Sequence, residues 1–364
     1  MNGILKCSGT GTVKNIGDYI QSVAQEQFWE HVDCFVERES LNTFSAKETV
    51  NVIMNAWFMW KPQNFPPSSI INPLFVSFHI VPQIASQMLT DESIKYLKKY
   101  EPIGARDTGT MELLRNYGIE SYFSGCLTLT LGEKYKSDNK NDAVYFVDPY
   151  YELGGTHKQS RLVRHFKAWW YCVKYRKKVN KFINNFACEF SSLYKHFPSL
   201  EKRLMASSFY HTYSKFFSDE VLFKAEYINH TVKQSDYPTD EIKMEYARNL
   251  IRKYASAKLV VTSRIHCGLP CLGVETPVIF VTSEALKGHS VRSSGRFGGL
   301  IDLFHLAEWT QDGLRAVSNE LSSLTKNKKY SLKIQLKNLD KYKTLRDGLI
   351  SSVRQWQKRE GINI

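Results

Sequence analysis

The chain has 364 residues, 43% of them hydrophobic and 13% aromatic, enough for two cores of ordinary domain size. Its net charge of +13 calls for an anionic partner, which sign alone leaves as a phosphorylated small molecule, an acidic membrane surface or nucleic acid. Seven cysteines without tight paired spacing argue against a disulfide scaffold, and nothing at the start resembles a secretory leader. No window reaches the roughly 18 uninterrupted apolar residues of a membrane span, so a cytoplasmic protein with reduced thiols is expected.

Cys7 to Val13 is a Gly/Ser/Thr loop without a Walker or GxGxxG pattern, and so makes no case for ATP or a dinucleotide. Asn15-Ile16-Gly17-Asp18 opens a helical pattern in Tyr19, Ile20, Val23, Ala24 and Phe28, with Asp18 placed as an N-cap. Asp33 to Val36, Thr49 to Met54 and Leu74 to Phe78 read as strands; the second runs into Asn55-Ala56-Trp57 and the third into His79. Side chains after a strand's carboxyl end line the crevice of a doubly wound sheet. His79 is therefore a site candidate, with packing against Pro82 as the plain alternative. Thr90 to Lys99 is a helix with a capping signal and a basic end. Pro102 to Thr108 gives a strand and a turn into the helix Thr110 to Tyr117, which Gly118 ends. Arg106 and Asp107 stand at that turn, as site groups or as an ion pair with an Asp cap. Ser121 to Leu131 alternates Leu and Thr as a strand does. Lys134 to Asp142 is polar and serves as the first interdomain link, before the strand pattern of Ala143 to Val147.

Residues 155 to 220 break the α/β rhythm and read as helical. Within them Arg161 to Phe186 mixes Leu162, Phe166, Trp169, Trp170 and Val173 with a run of Lys and Arg. Such a basic amphipathic helix suits a membrane interface or a lid over an anionic substrate; the plain alternative is a packed helix with a solvated basic face. No nucleic-acid motif accompanies the charge, so nucleic acid is not expected as a partner. Leu222 to Asn229 reads as a strand ending at His230. Asp240 to Tyr254 is an amphipathic helix with Ile242, Tyr246, Leu250 and Ile251 on one face. Lys258 to Val281 then reads as strand, turn, helix, strand, with Ser263 as cap and Arg264 and His266 in the first helical turn. A helix start at a strand's carboxyl end favours an anion. Cys267 and Cys271 lie four apart, but no second Cys or His pair completes a zinc site. His289 to Leu303 carries Arg292, Arg296, Gly298 and Gly299. A basic helical tail, Gln335 to Lys358, closes the chain with the stripe Leu339, Tyr342, Leu349, Val353 and Trp356.

Six pieces in order resemble the polysaccharide pyruvyl transferase family: Asn15-Ile16-Gly17-Asp18-Tyr19-Ile20-Gln21, Asn55 to Trp57 with Pro66-Pro67, Ser77-Phe78-His79, Gly104-Ala105-Arg106-Asp107, Gly125-Cys126-Leu127-Thr128-Leu129-Thr130 and Thr262-Ser263-Arg264-Ile265-His266-Cys267. The resemblance implies an α/β, GT-B-like fold of two Rossmann-type domains facing a cleft. These would be residues 1–140 and 141–334, with a helical insertion at about 155–220 in the second and a tail at 335–364. It also implies a transferase that moves the enolpyruvyl unit of phosphoenolpyruvate onto two hydroxyls of a sugar, with no metal or other cofactor. The acceptor would be a sugar or lipid-linked glycan precursor; the basic aromatic segment at 161–186, rather than the resemblance, adds the expectation of peripheral contact at the inner face of the membrane. Arg264, Ile265, Arg106, Arg292 and Arg296 are then the phosphoenolpyruvate-binding candidates. His266 or His79 is the acid, and Asp107 orients a histidine or activates a hydroxyl. Asn15, Asp18, Asn55, Trp57 and His230 fall on the acceptor side. One departure stands out: Asn55-Ala56-Trp57 replaces the Gly-rich turn seen in many members. Two other readings share these residues. A GT-B glycosyltransferase lacks an acidic residue placed for a donor ribose, and a non-catalytic glycan- or membrane-binding protein would have lost the cleft chemistry.

Overall fold

The fold is that of a computed structural model, which describes residues 1–7, 13–55, 57–58, 60–153, 161–187, 197–283, 297–310 and 312–362. β1 (Asn2–Lys6) and β2 (Val13–Asn15) lead into α1 (Ile16–Glu26), followed by β3 (Cys34–Glu37), β4 (Val50–Ile53), β5 (Trp57–Phe58), β6 (Ile71–Leu74) and β7 (His79–Ile80). β3, β1, β4 and β6 form a parallel sheet in that order, with Leu5, Val36, Val52 and Ile71 buried on it. After β6 the chain kinks at Ser77, whose φ of +57° lies in the left-handed region, and pairs again as β7 beside β5. α2 (Asp91–Leu97), β8 (Ile103–Ala105), α3 (Thr108–Asn116) and β9 (Ser121–Phe123) follow; β8 pairs with β9, and Phe78 bridges to Ala105.

Three expectations change here. The strand read at Leu74 to Phe78 lies earlier, at Ile71–Leu74, because Ser77 breaks the run; His79 opens a new strand. Asp18 does not cap α1. Asn15 does, its side chain accepting from the Gly17 N–H, while Asp18 occupies the first turn. Only Ser121–Phe123 of the Leu/Thr stretch is strand. Gly125, at φ +76°, turns the chain, and Leu127–Leu131 is a tight 3-10 turn in which every side chain is buried. The alternation there came from burial on all sides rather than from a pleat.

β10 (Val144–Val147), α4 (Arg161–Lys174), α5 (Pro198–Tyr213), β11 (Glu226–Ile228), β12 (Thr231–Lys233), α6 (Asp240–Ser256), β13 (Leu259–Thr262), α7 (Ile265–Gly273), β14 (Val278–Ser283), β15 (His305–Thr310), β16 (Gly313–Ala316) and α8 (Lys341–Arg359) make the second half. Its sheet runs β11–β10–β13–β14–β15–β16, parallel except for the last pair. β13 and β14 are buried along their whole length, as strands covered on both faces must be. From β10 the sheet grows to β11 on one side, and from β13 to β14 on the other, so the carboxyl ends of β10 and β13 flank a topological switch point. The strand expected from Leu222 is shorter, since Asp219–Lys224 is a helical turn and only Glu226–Ile228 pairs. Ile242 is exposed on α6, whose inward face is Met244, Ala247, Leu250, Ile251 and Tyr254.

The halves share structure. β2 pairs with β12 as an antiparallel ribbon, Asn15 opposite Thr231. One apolar core contains Ile4, Ile20 and Val23 of the first half, Leu250, Val260 and Leu269 of the second, and Leu349, Val353 and Trp356 of α8. Polar clamps hold α1 to α6 at two points. Asp240 accepts from Lys6 Nζ at 2.6 Å and from the Tyr19 hydroxyl at 2.7 Å, and Arg248 forks onto Glu26 at 2.9 and 2.5 Å. Burial pushes the Asp240 carboxyl up, but the hydrogen bonds from Lys6 and Tyr19 outweigh it and bring it to about 2. A depressed carboxylate stabilises above its unfolded value of roughly 3.9 and ceases to as pH falls toward the folded value. Asp240→Asn therefore melts below wild type at pH 7, and the gap closes between about pH 4 and pH 2, as calorimetry will read.

Candidate active site

The switch point of the second sheet is where the predicted Arg-x-His falls. Arg264 is the N-cap residue of α7, and its backbone N–H donates to Thr262 Oγ1 at 3.0 Å. The guanidinium leans back over the sheet: Nε donates to Asp148 Oδ2 at 2.9 Å and a terminal nitrogen to Thr231 Oγ1 at 3.5 Å. Its side chain keeps 42% of its surface open, whereas that of Asp148 keeps 12%. Asp148 follows β10 directly at φ +38°, a conformation that L-residues other than Asn and Asp rarely hold. The same Oδ2 accepts from the His230 backbone N–H at 3.0 Å. Ser263 is not the cap. Its hydroxyl donates to Val281 O and accepts from the Tyr150 N–H, tying the loops above the sheet together.

His266, in the first turn of α7, is buried against the start of α1. A Cβ placed on Gly17 would lie 3.1 Å from His266 Cβ and 3.3 Å from its Nδ1, so any side chain there makes the imidazole give by a few tenths of an ångström. The N-termini of α1 and α7 thus converge beside Arg264. A helix N-terminus carries partial positive charge, so two of them close to a guanidinium favour a negative group there. Gly17→Ala is expected to displace the imidazole by a few tenths of an ångström. It should lower turnover about tenfold with little change in melting temperature, by analogy with other small misplacements of reacting groups.

A second group forms at the carboxyl edge of the first half. His79 Nδ1 lies 2.7 Å from Asp107 Oδ2 and 2.9 Å from Thr110 Oγ1. Asp107 caps α3 through the Thr110 N–H at 2.9 Å, and Arg106 Nε stands 3.4 Å from the carboxylate. All four side chains are almost wholly buried. Burial pushes the Asp107 carboxyl up, but the charge and hydrogen bond of His79, then Arg106 and the Thr110 amide, overcome it, and the net direction is down. Both plain readings of this turn, ion pair and cap, are thus realised together with the His79 contact. Gly298 O accepts from the Thr108 N–H at 3.1 Å, which lays the chain returning from the second sheet on the start of α3.

The remaining candidates scatter. Ile265 buries its side chain in the shared core. Asn55 is fully buried, its amide bonded to Gln25 and to Gln21 O, so it braces α1. His230 is fully buried with Nε2 2.7 Å from the Tyr254 hydroxyl, while its carbonyl receives the Ile16 N–H. Asn15 is exposed at the start of α1 and Asp18 half-buried beside it. Trp57 pairs its backbone with His79, but its side chain, and all of Arg292 and Arg296, lie outside the described residues. Sequence reasoning missed Asp148, Thr231 and Gly17 as working parts of the site. Asp-Pro at a strand end was a usable signal for the first; Thr231 had none.

An arginine braced by an aspartate at the switch point of a parallel sheet, close to two helix N-termini, defines an α/β protein with a locally electropositive site at the ends of its strands. A family model described as polysaccharide pyruvyl transferase matches residues 74–284, more than half of the chain, and the chain belongs to that family of transferase enzymes. A search of curated proteins returns no match.

Proposed function

We propose that the protein transfers the pyruvyl unit of phosphoenolpyruvate to two hydroxyls of a sugar, working in the cytoplasm on a free or lipid-linked glycan precursor. The two sheets then act as the Rossmann-type domains of a GT-B-like enzyme, residues 1–140 and 141–334, with the cleft between them and the tail from 335 across both. The observation that carries this is the half-open guanidinium of Arg264 beside His266 at the convergence of α1 and α7. Phosphoenolpyruvate bears a phosphate and a carboxylate close together, and Arg264 supplies charge-assisted hydrogen bonds to them. Arg106 and, from the segment preceding Gly298, Arg292 or Arg296 are assigned to the remaining anionic oxygens.

The chemistry runs in two halves. An acid protonates the methylene carbon, and the cationic C2 takes the first sugar hydroxyl, which releases its proton. The C2–O bond to phosphate then breaks with the electron pair leaving on phosphate, and the second hydroxyl closes the ketal as it too loses a proton. His266 is assigned as the acid. His79, held by Asp107, is the alternative donor. Mixing the enzyme with phosphoenolpyruvate and candidate acceptors should release one phosphate per ketal formed. Stabilisation in a thermal-shift assay by UDP- or GDP-sugars but not by phosphoenolpyruvate would instead favour a glycosyltransferase.

A further inference from the structure

We infer that α4 docks the protein on an anionic lipid surface, an interaction independent of the cleft chemistry. Leu162, Phe166, Trp169, Trp170 and Val173 recur at the spacing of a single helical face, and their exposure runs from 49% at Trp169 to 83% at Leu162. The other face is fastened to the protein. Ala168 is buried, Tyr171 stacks on His211 with ring centroids 3.9 Å apart, and Lys167 pairs with Glu152 at 3.1 Å. The stripe is therefore held outward by the packing beneath it. Contiguous large apolar groups in water mark an interaction surface.

Charge identifies the occupant. Between Arg161 and Phe186 the chain carries Arg161, Arg164, Lys167, Lys174, Arg176, Lys177, Lys178 and Lys181 and no Asp or Glu. Lys174, Arg176, Lys177 and Lys181 are exposed, and Lys174 Nζ lies 4.6 Å from the Trp170 ring centroid. Protein interfaces are depleted in lysine, whereas a helix lying in a bilayer interface joins Trp, Phe and Leu on one side to Lys and Arg on the other. The sign of the charge selects anionic headgroups. Among the described residues no helix is long and apolar enough to cross a membrane, so the contact is a surface one.

The test is sedimentation of the full chain with vesicles of phosphatidylcholine, with and without phosphatidylglycerol. Binding is expected only when phosphatidylglycerol is present. The pair Phe166→Ser with Trp169→Ser should weaken it at least about tenfold by removing buried apolar area. Lys177→Glu with Lys181→Glu should also cost about tenfold or more, through the headgroup field. Thermal melting checks that each variant folds, and the charge pair decides alone if the apolar pair does not. Equal binding by the folded variants overturns the proposal, as does failure of wild type to sediment with phosphatidylglycerol vesicles. Concentration-dependent dimers in light scattering, lost in Phe166→Ser with Trp169→Ser and unaccompanied by vesicle binding, would assign the face to a second copy instead.

Discussion

Replacing His266 by alanine is expected to lower kcat by about 10²- to 10⁴-fold, the range that a positioned acid contributes, with the KM for phosphoenolpyruvate little changed. The expectation rests on position. His266 sits in the first turn of α7, against Gly17 and two residues on from Arg264, the group proposed to hold the anion. Steady-state phosphate release measures both constants. His79→Ala is the matched control: its imidazole is buried with Asp107 and Thr110, so its removal strips a buried carboxylate of a partner and should lower the melting temperature. If His79→Ala remains folded and loses turnover while His266→Ala keeps it, the acid is His79.

Arg264→Ala is expected to raise the KM for phosphoenolpyruvate by about 10²-fold or more, because it deletes charge-assisted hydrogen bonds of roughly 1.5–3 kcal/mol each. Arg264→Lys should recover only part of the loss, since lysine keeps the charge without the planar fork. The fork matters because Nε donates to Asp148 and a terminal nitrogen reaches Thr231, so the planar group is held in one orientation that an ammonium would not keep. Asp148→Asn should then show an intermediate defect confined to KM. An Arg264→Ala variant with wild-type KM would remove phosphoenolpyruvate from this position.

Much of the fold was legible because its signals are local. β13, α7 and β14 appear almost where the β-branched runs and the helix start put them. Thr90 caps α2, and Tyr342, Leu349, Val353 and Trp356 of the α8 stripe are buried as their spacing requires, although the helix begins at Lys341 rather than Gln335 and Leu339 precedes it, half-buried. Local signals failed where one pattern has two causes. The Leu/Thr alternation after Ser121 and the caps read at Asp18 and Ser263, which fall instead on Asn15 and Arg264, could not be resolved without knowing what packs on each. Asn55 and His230 were legible as polar groups near strand ends, but their burial against α1 and Tyr254 was not.

By itself, then, the sequence determined the α/β rhythm, the family, the excess of positive charge and the Arg264–His266 pair at a helix start. Periodicity and short motifs are properties of neighbouring residues and survive without the fold. Only tertiary structure decided what surrounds that pair. Asp148 reaches Arg264 across 116 positions of chain because β10 and β13 lie side by side at the switch point. Gly17 meets His266 because a shared core and the β2–β12 ribbon bring α1 against α7. Contacts of that separation depend on how strands order themselves in a sheet, which no local pattern encodes.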